Sequence, residues 1–215
     1  YLDGQPLVAV NPDPARIDGI LLPFNVSQAA LAVRTILNKQ AKTRAITMAE
    51  VLLNDGQSLL AFNDLFIGVK SHVSARYLIQ QGDQQEHQSS SGIIVSTGAG
   101  STGWLSSVFN MANGVLNRFD KNAHHVSPFR LEWGEKKLIY VVREPFVSKS
   151  STANIVCGYV TPDEPLVLHS EMPEGGVIFS DGVEADFLAF NAGAIATIRL
   201  SKKVTQLVDS NSKKQ

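Results

Sequence analysis

The chain has 215 residues, 44% of them hydrophobic and 18% charged, and a formal net charge of −1 at neutral pH. That is a globular composition with room for one large domain or two small ones. It has no charge excess to draw it to nucleic acid or an anionic membrane, and no apolar run of membrane-spanning length. The five histidines share no metal-ligand spacing with one another or with the single cysteine, so no protein-held metal is expected and no internal disulfide can form.

Taken in chain order, residues 7–10 read as a short apolar strand that stops at Asn11-Pro12-Asp13-Pro14. The start is abrupt: no initiator Met, no signal pattern, and a strand almost at once. It reads as a piece of something longer. Ser27 is the expected cap of a helix running to about residue 40. Two β-prone runs, 44–53 and 57–62, flank Asn54-Asp55-Gly56 and predict a hairpin. The second run ends in Asn63-Asp64, and 65–69 continues apolar. Residues 82–90 are polar and read as an exposed loop.

Ile93 to Val95 reads as a buried strand. It enters a loop with glycines at 98, 100 and 103, followed by a helix from Trp104 to about Leu116. Strand, glycine turn and helix start together can offer main-chain N–H groups to a phosphate or sugar, with glycine supplying φ > 0 and close approach. The loop matches neither G-x-x-x-x-G-K-[ST] nor G-x-G-x-x-G, and an ordinary capped turn would have the same composition.

From residue 131 on the chain reads as short strands: 137–142, 153–160, 165–168, a second D-G hairpin with Asp181-Gly182 between 177–180 and 183–190, then 194–200 and 204–208. Cys157, inside an apolar run, is expected to be a buried thiol, which fits a reducing compartment such as cytosol or, in a eukaryote, the mitochondrial matrix. The histidines are expected on the surface or in loops. Residues 209–215, which hold the basic pair Lys213-Lys214, read as a disordered tail. Many short strands at hairpin spacing predict a mainly β (α+β) domain, a sandwich of antiparallel sheets with two main helices.

Three polar clusters sit at strand ends: Asn63-Asp64, the 97–104 loop, and Asp181-Gly182. A carboxylate such as Asp64 can take hydrogen bonds from two vicinal hydroxyls, and Asn63 can both donate and accept. Taken singly, each cluster is also an ordinary turn, and Asp181 would act as a base only inside a pocket.

In this order the clusters resemble the C-terminal domain of NAD kinases, with Thr97-Gly98-Ala99-Gly100-Ser101-Thr102-Gly103-Trp104 as the specific part. The opening Val10-Asn11-Pro12-Asp13-Pro14 is similar to the segment joining that family's two domains, and the chain looks most like the branch that includes the mitochondrial type. The resemblance implies an enzyme that transfers the γ-phosphoryl of ATP, with Mg²⁺ on the triphosphate, to the 2′-hydroxyl of the adenosine ribose of NAD. Carried over by motif position, Asn63 and Asp64 hold ribose hydroxyls. Ser91, Thr97, Gly98, Gly100, Ser101, Thr102, Gly103, Trp104 and Ser107 line the NAD site, and Asp181 lies near the reacting hydroxyl as the catalytic group.

By the same resemblance, residues 1–20 are the junction with an N-terminal α/β domain carrying a G-G-D-G motif, and residues 21–208 form the NAD-binding domain. Without that motif, residues 1–215 alone are expected to make no NADP. The partners expected are NAD, ATP and further copies of the chain in a dimer or tetramer, but not nucleic acid or membrane. Two departures from the family pattern stand out: Ser91-Gly92 where many members have Asp-Gly, and Gly98 where Pro follows the loop Thr. The alternatives are a non-catalytic dinucleotide binder on the same fold, or a lipid or sugar kinase of the same superfamily.

Overall fold

The computed structural model describes residues 4–120, 124, 126 and 130–210. Their elements in chain order are β1 (Pro6–Leu7), β2 (Val10–Asn11), β3 (Phe24–Asn25), α1 (Val26–Leu37), β4 (Thr43–Leu53), β5 (Ser58–Ala61), β6 (Asp64–Val69), β7 (Ala75–Gln81), β8 (Gln84–Ser90), β9 (Ile93–Ser96), a 3₁₀ turn (Gly100–Thr102), α2 (Trp104–Phe119), β10 (Leu138–Val142), β11 (Cys157–Val160), β12 (Leu166–Ser170), β13 (Gly176–Ser180), β14 (Phe187–Ala189) and β15 (Ile195–Val208). The fold is mainly β and antiparallel with two helices, as the strand spacing predicted.

The chain forms two compact units. One comprises residues 47–201, the other 1–46 with 202–215. The larger unit holds the sandwich. One sheet runs β5-β4-β15-β12-β7-β8, the other β11-β10-β9-β6-β13-β14. Alternate residues of both sheets meet in a single core: Val51, Tyr77, Ile79, Leu166, Leu168 and Ile198 from the first, and Leu65, Ile67, Ile93, Val95, Tyr140 and Ile178 from the second. β6, β9 and β10 are so apolar because both faces of the second sheet are covered. Its inner face meets that core. Part of its outer face, Ile139 and Val141, packs under Leu105 of α2 with Leu131.

In the smaller unit, β1 pairs in parallel with the end of β15 (Pro6 opposite Gln206), and β2 with β3. Phe24, Ala32 and Val208 make its core, with Val8, Val10, Ile36 and Ala41 packed against it.

Several local expectations are corrected. The 7–10 strand is two short pairings, β1 and β2, with Val8 and Ala9 between them in neither. Helix α1 is capped by Asn25 rather than Ser27: the Asn25 side chain takes the Gln28 N–H (3.1 Å) while the Gln28 side chain takes the Asn25 N–H (3.0 Å), a full capping box. Residues 84–90 are a strand, not a loop. Two of its polar side chains are buried by hydrogen bonds: the Tyr77 hydroxyl meets Gln88 (3.1 Å) and Ser90 (2.7 Å). The run from Ile195 to Val208 is one strand rather than two. Only 157–160 of the 153–160 run is a strand, and Cys157 is exposed because β11 is the edge of its sheet. His87 is in a strand but exposed as expected, whereas His169 is half-buried in β12. His125 and Lys213-Lys214 lie outside the described residues.

Candidate functional site

β9, β6 and β13 are neighbours in one sheet, with Asp64 opposite Ser96 and Leu65 opposite Ser180. Asn63-Asp64 begins β6, Thr97 follows β9 and Asp181 follows β13. Antiparallel pairing therefore brings all three clusters to the same end of the sheet.

They are tied there by main-chain bonds. The Asp181 carboxylate accepts three N–H groups, from Phe62 (2.9 Å), Asn63 (2.6 Å) and Asp64 (3.2 Å), while its own N–H donates to the Asp64 carbonyl (3.0 Å). Asp181 sits at φ 53°, the left-handed region that Asp tolerates better than most side chains. Asp181-Gly182 is thus not the two-residue hairpin turn expected, since β14 begins only at Phe187. From the other side, Thr97 donates its N–H to the Asn63 carbonyl (2.9 Å) and its hydroxyl to the Phe62 carbonyl (2.6 Å).

The glycine loop is built for packing. Neither Gly98, Gly100 nor Gly103 has positive φ. A Cβ on Gly100 would lie 2.1 Å from the Asn63 carbonyl oxygen, and one on Gly98 2.3 Å from that of Glu132. Both positions are glycine so that two backbones can touch. The loop also consumes much of its own donor set. The Gly100 N–H goes to Thr97 Oγ1 (3.2 Å), Ser101 N–H to the Gly98 carbonyl (3.4 Å) and Gly103 N–H to the Gly100 carbonyl (2.9 Å). Residues 97–101 are buried, and the Ser101 hydroxyl donates to the Gly98 carbonyl (2.8 Å). The picture of bare N–H groups offered to a phosphate is therefore corrected at 100, 101 and 103.

What this frame leaves unoccupied is Asp64. Its side chain points away from the core, on the face that α2 partly covers. It is 9% exposed, and its carboxylate meets no hydrogen-bond donor among the described residues. Burial, with the nearby Asp181 carboxylate adding to it, pushes its pKa up to about 6. A desolvated carboxylate with vacant acceptor positions is suited to receive hydroxyl donors from outside the chain.

Two residues further along β6, on the same face, Phe66 forms the floor of a cleft of about 760 Å³. Phe66 stacks on Trp104 (centroids 5.6 Å apart, planes at 12°) and leans against Phe179 (4.9 Å). The ring lies flat because Gly68 and Gly92 leave room: a Cβ at either would sit 2.5 Å and 2.8 Å from it. Lys70, His72, Arg143, Glu144 and Glu184 supply the polar lining, with Ser91 at one edge.

Of the sequence-predicted residues, Asn63, Asp64, Thr97, Gly98, Gly100, Ser101 and Asp181 converge at the strand ends. Ser91 and Trp104 line the cleft, with Thr102 and Gly103 at the start of α2 beside it. Ser107 is exposed on the second turn of α2. Phe66, Lys70, Arg143, Phe179 and Phe187 were missed. Period-two alternation from Asp64 would have flagged Phe66, but nothing in the sequence links 143 or 179 to it.

Among the described residues no helix is long and apolar enough to cross a membrane, and no group of three or more His, Cys, Asp or Glu could hold a metal ion. No protein-family model matches the chain, and no curated protein matches it. Among solved structures it is similar to a crystal structure of yeast NADH kinase complexed with NADH, with a TM-score of 0.67 and 15% identity. The match covers 96% of this chain and 55% of that one, so this chain spans about half its length. At that identity the likeness shows the fold, which is that of NAD kinases.

Proposed function

We propose that this chain is the acceptor-binding part of an NAD kinase-type phosphotransferase: it holds NAD for phosphorylation of the adenosine ribose by ATP. The observation that carries the reading is the contrast at the strand ends. Three segments far apart in sequence are locked together by main-chain bonds through Asp181 and Thr97, and of the two carboxylates there Asp64 meets no donor among the described residues. The fold likeness to a kinase complexed with NADH points the same way.

In this reading Asp64 accepts the ribose hydroxyls, and Asn63, Ser91, Trp104 and the 97–103 loop shape the space around the dinucleotide. Asp181 is a positioning residue. Its oxygens are engaged by three N–H groups, so it acts by holding Asp64 in place rather than by taking a proton itself. Phosphoryl transfer asks chiefly for positioning and charge neutralisation. The donor set here offers no protein cage for Mg²⁺: the turn presents two carboxylates, Asp64 and Asp181, and the second already accepts three main-chain N–H groups. The ion would arrive on the ATP triphosphate.

Calorimetric titration of NAD and NADH into the 215-residue chain and its Asp64→Asn variant tests the reading. Binding that Asp64→Asn weakens at least tenfold is expected. No binding to either form, or equal binding to both, overturns it.

A further inference from the structure

At the end of β6 opposite to Asp64, two crossovers between the sheets run side by side. Residues 70–74 join β6 of the second sheet to β7 of the first, and residues 171–175 join β12 of the first to β13 of the second. β6 pairs with β13 and β7 with β12, so the two connections are neighbours by construction. Main-chain bonds stitch them at both ends. The Lys70 N–H donates to the Gly175 carbonyl (3.0 Å), and the Glu171 N–H donates to the Arg76 carbonyl (3.0 Å). The two connections line a cavity of about 390 Å³, within the roughly 300–1,000 Å³ range of small-molecule sites.

The lining combines three chemistries. Val69, Val73, Met172 and Pro173 are apolar, and Met172 is buried. Arg76 brings a guanidinium and Glu174 a carboxylate. Among the described residues neither charge is in an ion pair. The charges beside them in the chain are committed elsewhere. Glu171 gives its carboxylate to His87 Nδ1 (2.6 Å), and the Lys70 ammonium lies over the Phe187 ring (3.6 Å).

We infer that this cavity binds a free α-amino acid with an apolar side chain, its carboxylate on Arg76, its ammonium on Glu174 and its side chain against Val69, Val73 and Met172. A plain anion would answer Arg76 and be repelled by Glu174. A plain cation would do the reverse, and an uncharged apolar molecule would answer neither. A zwitterion answers both, and the guanidinium fork suits a carboxylate. Val69 and Val73 also line the aromatic cleft, and the cleft residues Lys70 and His72 belong to the same crossover. A ligand that fixes this crossover is therefore felt in the cleft as a change in NAD affinity. That coupling rests on the function proposed above; the binding itself does not.

Calorimetric titration of the 215-residue chain with L-leucine, L-methionine and L-phenylalanine tests the inference. The controls are isocaproate, which lacks the ammonium, isoamylamine, which lacks the carboxylate, and glycine, which lacks the side chain. At least one of the three amino acids is expected to bind, with every control at least about tenfold weaker. Arg76→Gln and Glu174→Gln should each weaken the amino acid about five- to tenfold. Both side chains are exposed, so the urea unfolding midpoint should not move. A saturating amino acid should shift the NAD dissociation constant at least about twofold. Asp64→Asn should weaken NAD and leave the amino acid untouched. Loss of NAD binding alone therefore strikes the function proposed above, and loss of amino-acid binding alone strikes this site. The inference falls if none of the three amino acids binds, if any control binds as tightly as they do, or if neither glutamine variant changes affinity. Its coupling falls if NAD affinity is the same with and without the bound amino acid.

Discussion

Two carboxylates in the same sandwich show opposite uses of the same group. Glu86, on β8, is the hub of a purely structural knot. It accepts from the Thr152 hydroxyl (2.6 Å), the Asn154 N–H and side-chain amide (2.9 Å each) and the Ile155 N–H (2.8 Å), besides the Gln88 amide. Burial alone would raise its pKa, but those donors outweigh it and hold it down at about 2. Asp64 is more deeply placed and has no donor, so burial and Asp181 raise it to about 6. A carboxylate saturated by its own chain serves the fold. One desolvated and left open costs stability, and that cost points to an external partner.

The largest expected effect would break the frame that makes Asp64 possible. Gly100→Ala places a methyl 2.1 Å from the Asn63 carbonyl oxygen. Backbone must move to admit it, so we expect a loss of about 3 kcal/mol or failure to accumulate as folded protein, read by urea denaturation. Wild-type stability in this variant would mean that the loop and the Asn63 turn are not in contact.

Glu86→Gln tests the structural member of the pair. The carboxylate is only half-buried, so screening discounts its bonds to about 1–2 kcal/mol at neutral pH. The folded pKa lies below the unfolded one. The stabilisation is therefore present above pH 4.5 and is lost as the pH falls towards about 2. A variant that tracks wild type through that window would show the knot to be idle.

Asp64→Asn should do the reverse. The folded pKa lies above the ordinary 3.8, so the charged form is disfavoured in the native state. The penalty is absent below pH 3.8 and complete above about 6. Discounted for partial exposure, its removal should raise stability at pH 7.5 by about 1 kcal/mol, with no gain at pH 3.5. Wild-type NAD affinity should climb as the pH rises through about 6, and the variant's should stay flat. A gain in stability combined with a loss of binding is the signature of an open site. A loss of both would put Asp64 with Glu86 as a structural group.

Asp181→Asn is the mildest test. Asn tolerates the left-handed backbone at φ 53° but offers one acceptor oxygen in place of two. We expect about 0.5–1 kcal/mol of lost stability and a several-fold loss of NAD affinity through a loosened 62–64 turn. A loss of turnover in the whole enzyme with NAD affinity unchanged would return Asp181 to a direct catalytic role.

Strands were legible wherever periodicity or continuous apolarity marked them. β4, β5, β6, β9, β10 and β13 all lie in runs readable as buried β. Polar β8 was not legible, because Gln88 and Ser90 are buried by hydrogen bonds to Tyr77 rather than by apolarity. Cys157 misled because an apolar neighbourhood in sequence was an edge strand in space.

By itself the sequence determined the strand-rich architecture, the three polar clusters and their order, since local propensity and short-range pattern encode turns and strands directly. Only the tertiary structure decided that Asp181 is consumed as a clamp, that Asp64 is left open, that the loop glycines serve contact rather than conformation, and that Phe66, Phe179, Trp104, Arg143 and Lys70 share one cleft. Each of those depends on antiparallel pairing between segments far apart in sequence, Leu65 lying opposite Ser180, and strand pairing is a property of the folded sheet that no single segment carries.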